Sequence, residues 1–450
     1  MTTEAPEPKT TRLAALRQAL EQGSMRHGQR LVNSLHPAEI ASLIESLPPA
    51  KREIVWEFVD PEIEGDVLIE LNEEVRAELI GGMDAEELIA ATEGMEVDDL
   101  ADLIGDLPET LNERVLRSMD AQDRERLSAV MGFEADSAGG LMNLDTVTVR
   151  ADVTLEVVLR YMRMRGELPD RTDRLFVVNR HDQYLGGLDI TRLLTDDPEK
   201  TVGEVMDSAI ESIAPETPAR EVAKLFEDRD LVSAPVVSDG RLLGRITIDD
   251  VVDVIREEAD HSVMSMAGLD EDEDMFAGVL TSARRRAVWL SVNLATAFLA
   301  ANVVGLFEAT IEKVVALAVL MPIVASMGGI AGSQTLVLII RGLALGQIEQ
   351  SNARWLLVRE IAVGLLNGVL LASLVGVAAG IWFHTWTIGL IIFAALIINL
   401  LAAAFAGVTV PLVLRRLGID PALAGGVVLT TVTDTVGFAS LLGLGTLFLL

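Results

Sequence analysis

Cysteine is missing altogether from this 450-residue chain, so disulfides and thiolate metal sites are excluded. Histidine is scarce, with five residues, and a His-rich zinc or iron centre is not expected. A basic surplus is missing too: the formal net charge is -32. An acidic surface repels nucleic acid and attracts cations. The N-terminus, "MTTEAPEPKTTRLAAL", lacks the apolar core of a signal peptide. The residues after it are therefore expected to stay in the cytoplasm.

Charge is also missing where apolar residues concentrate. From Ala287 to Leu450 six acids (Glu308, Glu312, Glu349, Glu360, Asp420, Asp434) balance six bases (Lys313, Arg341, Arg354, Arg359, Arg415, Arg416). The whole excess of -32 thus sits in residues 1–286. Five stretches, 288–306, 314–340, 355–382, 388–414 and 422–450, are long enough to span about 30 Å of hydrocarbon. Arg284 to Arg286 precede the first. Arg341, Arg354 and Arg359 fall between the second and third, and Arg415 and Arg416 between the fourth and fifth. The connections on the other side carry only Lys313 as a base. Positive residues mark the cytoplasmic side, which implies a cytoplasmic N-terminus and an external C-terminus in a cell (inner or plasma) membrane.

In the second span, Pro322, Ser326, Gly329 and Ser333 fall near one helical face, and Gly328 and Gly332 form a G-x-x-x-G pair suited to close packing. Pro322, the double glycine and Gln334 together predict a weakened or broken helix, tolerated at membrane depth only when buried or lining water. In the fifth span, Gly426, Thr430 and Asp434 recur every four residues as one small polar stripe, with Thr431, Thr433 and Thr435 nearby. Asp434 is either a protonated acid bonded to a neighbouring helix or a cation site. With Arg359 counted in a connection, no Lys or Arg lies inside a span to neutralise it, and a mobile cation is the simplest partner. An intramembrane aspartyl protease would need two acids, and this reading of the spans offers one.

The acidic half has two repeats. "EIASLIESLP" (39–48) returns as "DLADLIGDLP" (99–108), sixty positions on, in a region from 11 to 134 whose leucines and isoleucines follow a helical period. Short helices at that spacing predict an all-α superhelical domain. It shows no P-loop, nucleophile elbow or metal-ligating His pair, and the chain is not expected to be an enzyme. Over 145–260 a unit of about 60 residues repeats. "RLFVVNRHDQYLGGLDITRLL" answers "SAPVVSDGRLLGRITIDDVV", each read as strand, helix, strand, turn, strand, helix. Thr217-Pro218 is a helix start and Asp239-Gly240 a tight turn. The pair resembles CBS domains, here 135–200 and 201–260. "GRITIDD" fits the T-x-x-D pattern that holds a nucleotide ribose in them, through Thr247 and Asp250. The first copy, "GGLDITR", lacks it. ATP or another adenine nucleotide is therefore expected at one site only.

A connecting helix and linker (249–283) leads from there to the membrane region, 284–450. Asp249, Asp253 and Glu257 stand at i, i+4 and i+8 on it. Like charges so spaced cost about 0.2–0.5 kcal/mol per pair. Solvent and salt, or a bound divalent cation, can offset this, and Mg²⁺ prefers carboxylate and water oxygens.

The order of parts, with "EADSAGGLM" (134–142), "GRLLGRITIDDVVDVI", "MGGIAGSQTLVLIIRGLA" and "IDPALAGGVVLTTVTDTVGF", resembles the MgtE family of magnesium channels over nearly the whole chain. The resemblance implies a homodimer in a lipid membrane, with the second and fifth spans of both copies lining a path for Mg²⁺. It implies that Asp434 coordinates the hydrated ion, near Thr430, Gly426, Gly328, Gly329 and Ser333. It also implies a cytoplasmic Mg²⁺ sensor that closes the path. Asp98, Asp230, Asp250 and Glu258 match the family's sensor acids, and Asp253 and Glu257 stand on the same acidic helix. Pro218, Arg220, His261 and Ser262 depart from that pattern, and imply a sensor holding fewer ions. "GGIAG" and Gly426 depart as well, and imply a pore mouth of altered selectivity. The rival readings are an ion-coupled secondary transporter using the same Asp434, and a membrane-anchored nucleotide sensor without transport.

Overall fold

The computed structural model describes residues 25–450, except 94, 120, 170, 270–272 and 349. The chain divides into two compact units, Met1–Ala259 with Asp272–Ala277, and Asp260–Glu271 with Gly278–Leu450.

The first unit opens with short helices, nine among the described residues, from Met25–Val32 to Ala121–Val130. The expected residues 11–24 lie outside the described ones. Local chemistry starts these helices. Pro37 and Pro49 occupy first-turn positions, where the missing N–H is no loss. Asn72 accepts from the Val75 amide at 2.9 Å. Asp84 accepts from Glu86 and Glu87 amides at 2.8 and 3.0 Å, and Glu87 answers from its side chain at 2.9 Å. The sequence repeat becomes a packing repeat. Ile40, Leu43, Ile44 and Leu47 are buried in the same core as Leu100, Leu103, Ile104 and Leu107, their counterparts sixty positions later.

The two α/β repeats follow. β1 (Thr148–Arg150) pairs parallel with β2 (Arg174–Val178), which pairs antiparallel with β3 (Tyr184–Asp189). β4 (Ser233–Ser238) pairs antiparallel with β5 (Arg241–Thr247). The opening strand expected for the second copy is reduced to one parallel bridge, Ile213 to Val236. Asp239 and Gly240 join β4 to β5 with φ of +51° and +77°. Two positive φ values in sequence are what a type I′ hairpin turn requires. The connecting helix, Ile248–Met266, starts directly from the end of β5.

Among the described residues, the second unit holds five helices long and apolar enough to cross a membrane. They are Val279–Gly305, Val315–Ala344, Gln350–Trp382, Trp386–Arg416 and Pro421–Leu449, referred to below as the first to fifth span helices. A short helix, Glu308–Lys313, joins the first two. The predicted break in the second span does not occur: Pro322 and Gly328-Gly329 lie within one helix of 30 residues. Proline removes one backbone bond, and the turns beyond it are held by packing at Val324, Gly328 and Gly332, all buried.

The spans also hold more charge than the sequence reading assigned. Arg359 and Glu360 lie inside the third span helix and pair at 2.6 Å, with Glu360 buried. The helix runs through this pair because each charge meets its partner locally. Glycine against leucine sets the contact between the second and fifth span helices. A Cβ on Gly332 would come within 2.9 Å of Leu429. One on Gly425 would lie 3.0 Å from Leu336, and one on Gly445 2.4 Å from Leu317.

Candidate functional site

On the fifth span helix, spacing of four residues aligns Gly426, Thr430 and Asp434 on one face. Thr430 donates to the Gly426 carbonyl at 2.9 Å, and Thr431 to that of Val427 at 2.7 Å. A threonine bonded back to its own helix keeps its oxygen lone pairs free to accept. Thr430 is exposed, and Asp434 and Gly426 are half-buried. The second span helix presents a matching face, with Ser326 and Ser333 exposed and Gly329 half-buried. Gly328 is placed otherwise. It is buried, and its Cβ position faces the Asn399 amide of the fourth span helix at 2.2 Å. Polar, oxygen-rich surface thus lies uncovered on two otherwise apolar helices.

The first unit contains a second concentration of carboxylates. Helix Val97–Asp106 begins with two acids, Asp98 and Asp99, preceded by Glu96. Oxygens of these three lie within 4.8 Å of one another. Asp98 is 6 % exposed, and its Oδ1 is buried without a hydrogen-bond partner among the described residues. Glu96 accepts from Asn143 Nδ2 at 2.6 Å. Asp250 adds its field from the start of the connecting helix. Burial, then Asp250 and Asp99, pushes Asp98 up to about 8. Burial and Glu96 push Asp99 up to about 7. Burial and Asp249 push Asp250 up to about 6, against hydrogen bonds from Thr247. A half-buried group of acids that cannot all ionise freely fits a hard divalent cation, which prefers carboxylate oxygens.

The other expected sensor acids are dispersed. Asp253 is also raised, first by burial, with Arg256 opposing. Asp230 is exposed and caps a helix in left-handed backbone at φ 51°. Glu257 is exposed on the connecting helix. Glu258 is met by a cation built into the chain: the Arg220 guanidinium pairs with it at 2.5 Å. The expected ribose pair is together. Thr247 bonds Asp250 through its amide at 3.1 Å and its hydroxyl at 3.0 Å, and its hydroxyl also bonds Asp249. Asp249 in turn pairs with Arg171 at 2.7 Å. Sequence reasoning missed Glu96 and Asp99. The run "EVDD" was visible, but only folding shows that its side chains converge.

Three family models cover this layout. One described as the MgtE intracellular N domain matches residues 35–136. CBS domain models match 138–196 and 202–257, and MgtE, a divalent cation transporter, matches 321–444. The magnesium transporter MgtE of Thermus thermophilus is 30 % identical over 441 residues, covering 97 % of this chain and 98 % of that protein. The chain belongs to the MgtE family. The Bacillus subtilis magnesium transporter MgtE is 28 % identical over 431 residues, 96 % of each chain. A solved cytosolic domain of the Mg²⁺ channel MgtE in complex with ATP matches with a TM-score of 0.50 and 30 % identity. The match covers 54 % of this chain and 99 % of that one. The helical N domain, CBS pair and five apolar helices are thus the MgtE arrangement.

Proposed function

We propose that this protein carries Mg²⁺ across the cell membrane, along a path lined by the second and fifth span helices of two copies. One observation carries this reading: Ser326, Gly329, Ser333, Thr430 and Asp434 form uncovered polar surface on helices built to lie in hydrocarbon. A lone carboxylate at bilayer depth costs about 2.5–3.5 kcal/mol or more on insertion scales. A second copy facing the first across water removes that cost and doubles the carboxylates. Asp434 then coordinates the hydrated ion, with hydroxyl and carbonyl oxygens of Thr430, Gly426, Gly329 and Ser333 around its water shell. Mg²⁺ gives up its waters reluctantly, so a wide ring of oxygens suits it better than a tight cage.

Gating follows from the acids in the first unit. Two unit charges 4 Å apart repel by about 1 kcal/mol in water and about 4 kcal/mol at an effective dielectric of 20. At low cytoplasmic Mg²⁺ the Glu96–Asp98–Asp99 group and Asp250 repel one another. Mg²⁺ bound among them offsets that repulsion and draws the helical domain toward the second CBS repeat. The connecting helix, which begins at Asp249 and Asp250, transmits the change toward the first span. In the same proposal ATP, the ligand in the related cytosolic domain, binds this chain through Thr247 and Asp250. The N-terminus faces the cytoplasm in this scheme.

The test is Mg²⁺ flux through the purified protein in liposomes. Asp434→Ala should insert and fold, and lose most Mg²⁺ flux or selectivity. Flux and ion preference like the wild type's would remove Asp434 from the path. Saturable flux that tracks a proton gradient would instead favour a coupled transporter.

A further inference from the structure

Asn399 lies in the middle of the fourth span helix and is 0 % exposed. Its amide reaches both helices that carry the proposed path. Toward the second, Nδ2 donates to the Val324 carbonyl at 2.8 Å. A Cβ on Gly328 would lie 2.2 Å from Nδ2, and one on Gly437 of the fifth helix 2.8 Å from it. Both neighbours are glycine because any side chain would collide with the amide. Gly328 adjoins Gly329, and Gly437 lies three residues after Asp434. The wedge thus packs beside the polar face of each helix, near the height of the oxygens proposed to meet the ion.

The amide is costly there. Its Oδ1 is buried with no hydrogen-bond partner among the described residues. An unmade hydrogen bond in a dry interior carries the full desolvation penalty of the group. Leucine has nearly the same branched shape and would avoid that penalty, so filling space does not account for asparagine at this position. What the amide adds over leucine is a directed bond to the Val324 carbonyl, fixing the rotation of the second span helix one turn before Gly328 and Gly329.

We infer that Asn399 is a positioning residue for ion selectivity: its amide sets the spacing and rotation of the second and fifth span helices, and thereby the distance between Asp434 and the oxygens opposite it. This rests on the reading of Asp434 as the ion's ligand. Selectivity between ions of the same charge depends on such distances, because Mg²⁺ and Ca²⁺ differ in coordination number, metal–oxygen distance and hold on their waters rather than in charge.

Two comparisons in liposomes test the inference, with purified full-length protein and Mg²⁺, Co²⁺ and Ca²⁺ as the ions. Asn399→Leu should insert and remain monodisperse, and its preference for Mg²⁺ over the other ions should change by about tenfold, the scale of coupling expected between residues in contact. An unchanged preference in folded Asn399→Leu overturns the inference, because a space-filling role would leave it unmoved. The second comparison exchanges volume. Gly328→Ala alone should lose flux through collision with the amide, and Gly328→Ala/Asn399→Ala should recover it. Failure to recover in a folded double variant also overturns the inference, since Gly328 would then matter for itself. Asp434→Ala in the same assay separates the two readings. Wild-type flux in that variant removes the path through Asp434, whereas the Gly328–Asn399 exchange reports on the wedge alone.

Discussion

Arg52 is a charge with no exposed surface, and its environment explains why it stays charged. Its guanidinium forks onto Asp274, with bonds of 2.8 and 2.7 Å, and reaches Glu78 at 2.9 Å and the Ile44 carbonyl at 3.3 Å. Burial works against both charges of the pair. The hydrogen bonds win, holding Asp274 below the usual carboxylate range and raising Arg52. A planar fork on two carboxylate oxygens is the geometry in which arginine binds best. Asp274 stands in the linker, five residues before the first span helix begins at Val279, so the pair ties the end of the linker to the helical domain within the first unit. Arg52→Met should leave Asp274 buried and unpaired, at a cost of about 3–5 kcal/mol. Thermal unfolding of the full-length variant in detergent should show the first unit melting well below the wild type. An unchanged melting profile would mean that the linker peels away without consequence. The sequence offered no hint of this pair, because its members are 222 positions apart and each looks like an ordinary surface charge.

At the scale of elements, the connecting helix owes its ends to different causes. Thr247 and Asp250 close its start by local hydrogen bonds. Its far end is shaped by Gly268, at φ +69°, where the Ala267 and Gly268 amides turn back to Met264 and Ser265 carbonyls at 3.0 and 2.9 Å. A Cβ on Gly268 would also lie 1.8 Å from the Trp289 ring of the first span helix. Gly268 therefore serves twice, once for backbone conformation and once for close approach. Gly268→Ala should cost more than the roughly 1 kcal/mol of a left-handed backbone alone, because the indole must also move. Tryptophan fluorescence should show the altered packing as a shifted emission of Trp289, read against a Trp289→Phe background. Emission identical to wild type would show that the ring is not seated on the glycine. The helix periods of 39–48 and 99–108 announced their buried positions correctly, since a 3.6-residue period depends only on neighbours along the chain. The unbroken second span was not announced, because Pro322 and two glycines are local warnings that packing against other helices overrides.

For the whole molecule, charge is the thread. The excess acid of residues 1–286 has a focus at Glu96, Asp98, Asp99 and Asp250. Asp98, Asp99 and Asp250 are raised to about 8, 7 and 6, above the range near 4 of an unfolded chain. A raised carboxylate is destabilising when ionised, so without divalent cations the first unit should gain stability as pH falls through 8 toward 6. Protons and Mg²⁺ compete for the same oxygens, so Mg²⁺ binding should weaken by about tenfold or more from pH 8.5 to 6 and release protons as it occurs. Calorimetry in buffers of different ionisation heat measures both. Binding that is independent of pH, with no proton release, would place the cation elsewhere. Asp98→Asn should reduce the pH dependence, most of all near pH 8, while Asp99 and Asp250 keep the part at lower pH. The sequence by itself determined the division into an acidic half and an apolar half, the two repeats, the five spans and the polar stripe that carries Asp434. Each of these is a property of composition or period, and needs no knowledge of which segments meet. The tertiary structure alone decided that Asp250 comes beside Asp98 and Asp99, that Arg220 pairs with Glu258, that Gly328 is a seat for Asn399, and that Arg52 holds Asp274. Those are encounters between residues remote in sequence, and a contact of that kind is fixed by how the elements pack, which no local pattern encodes.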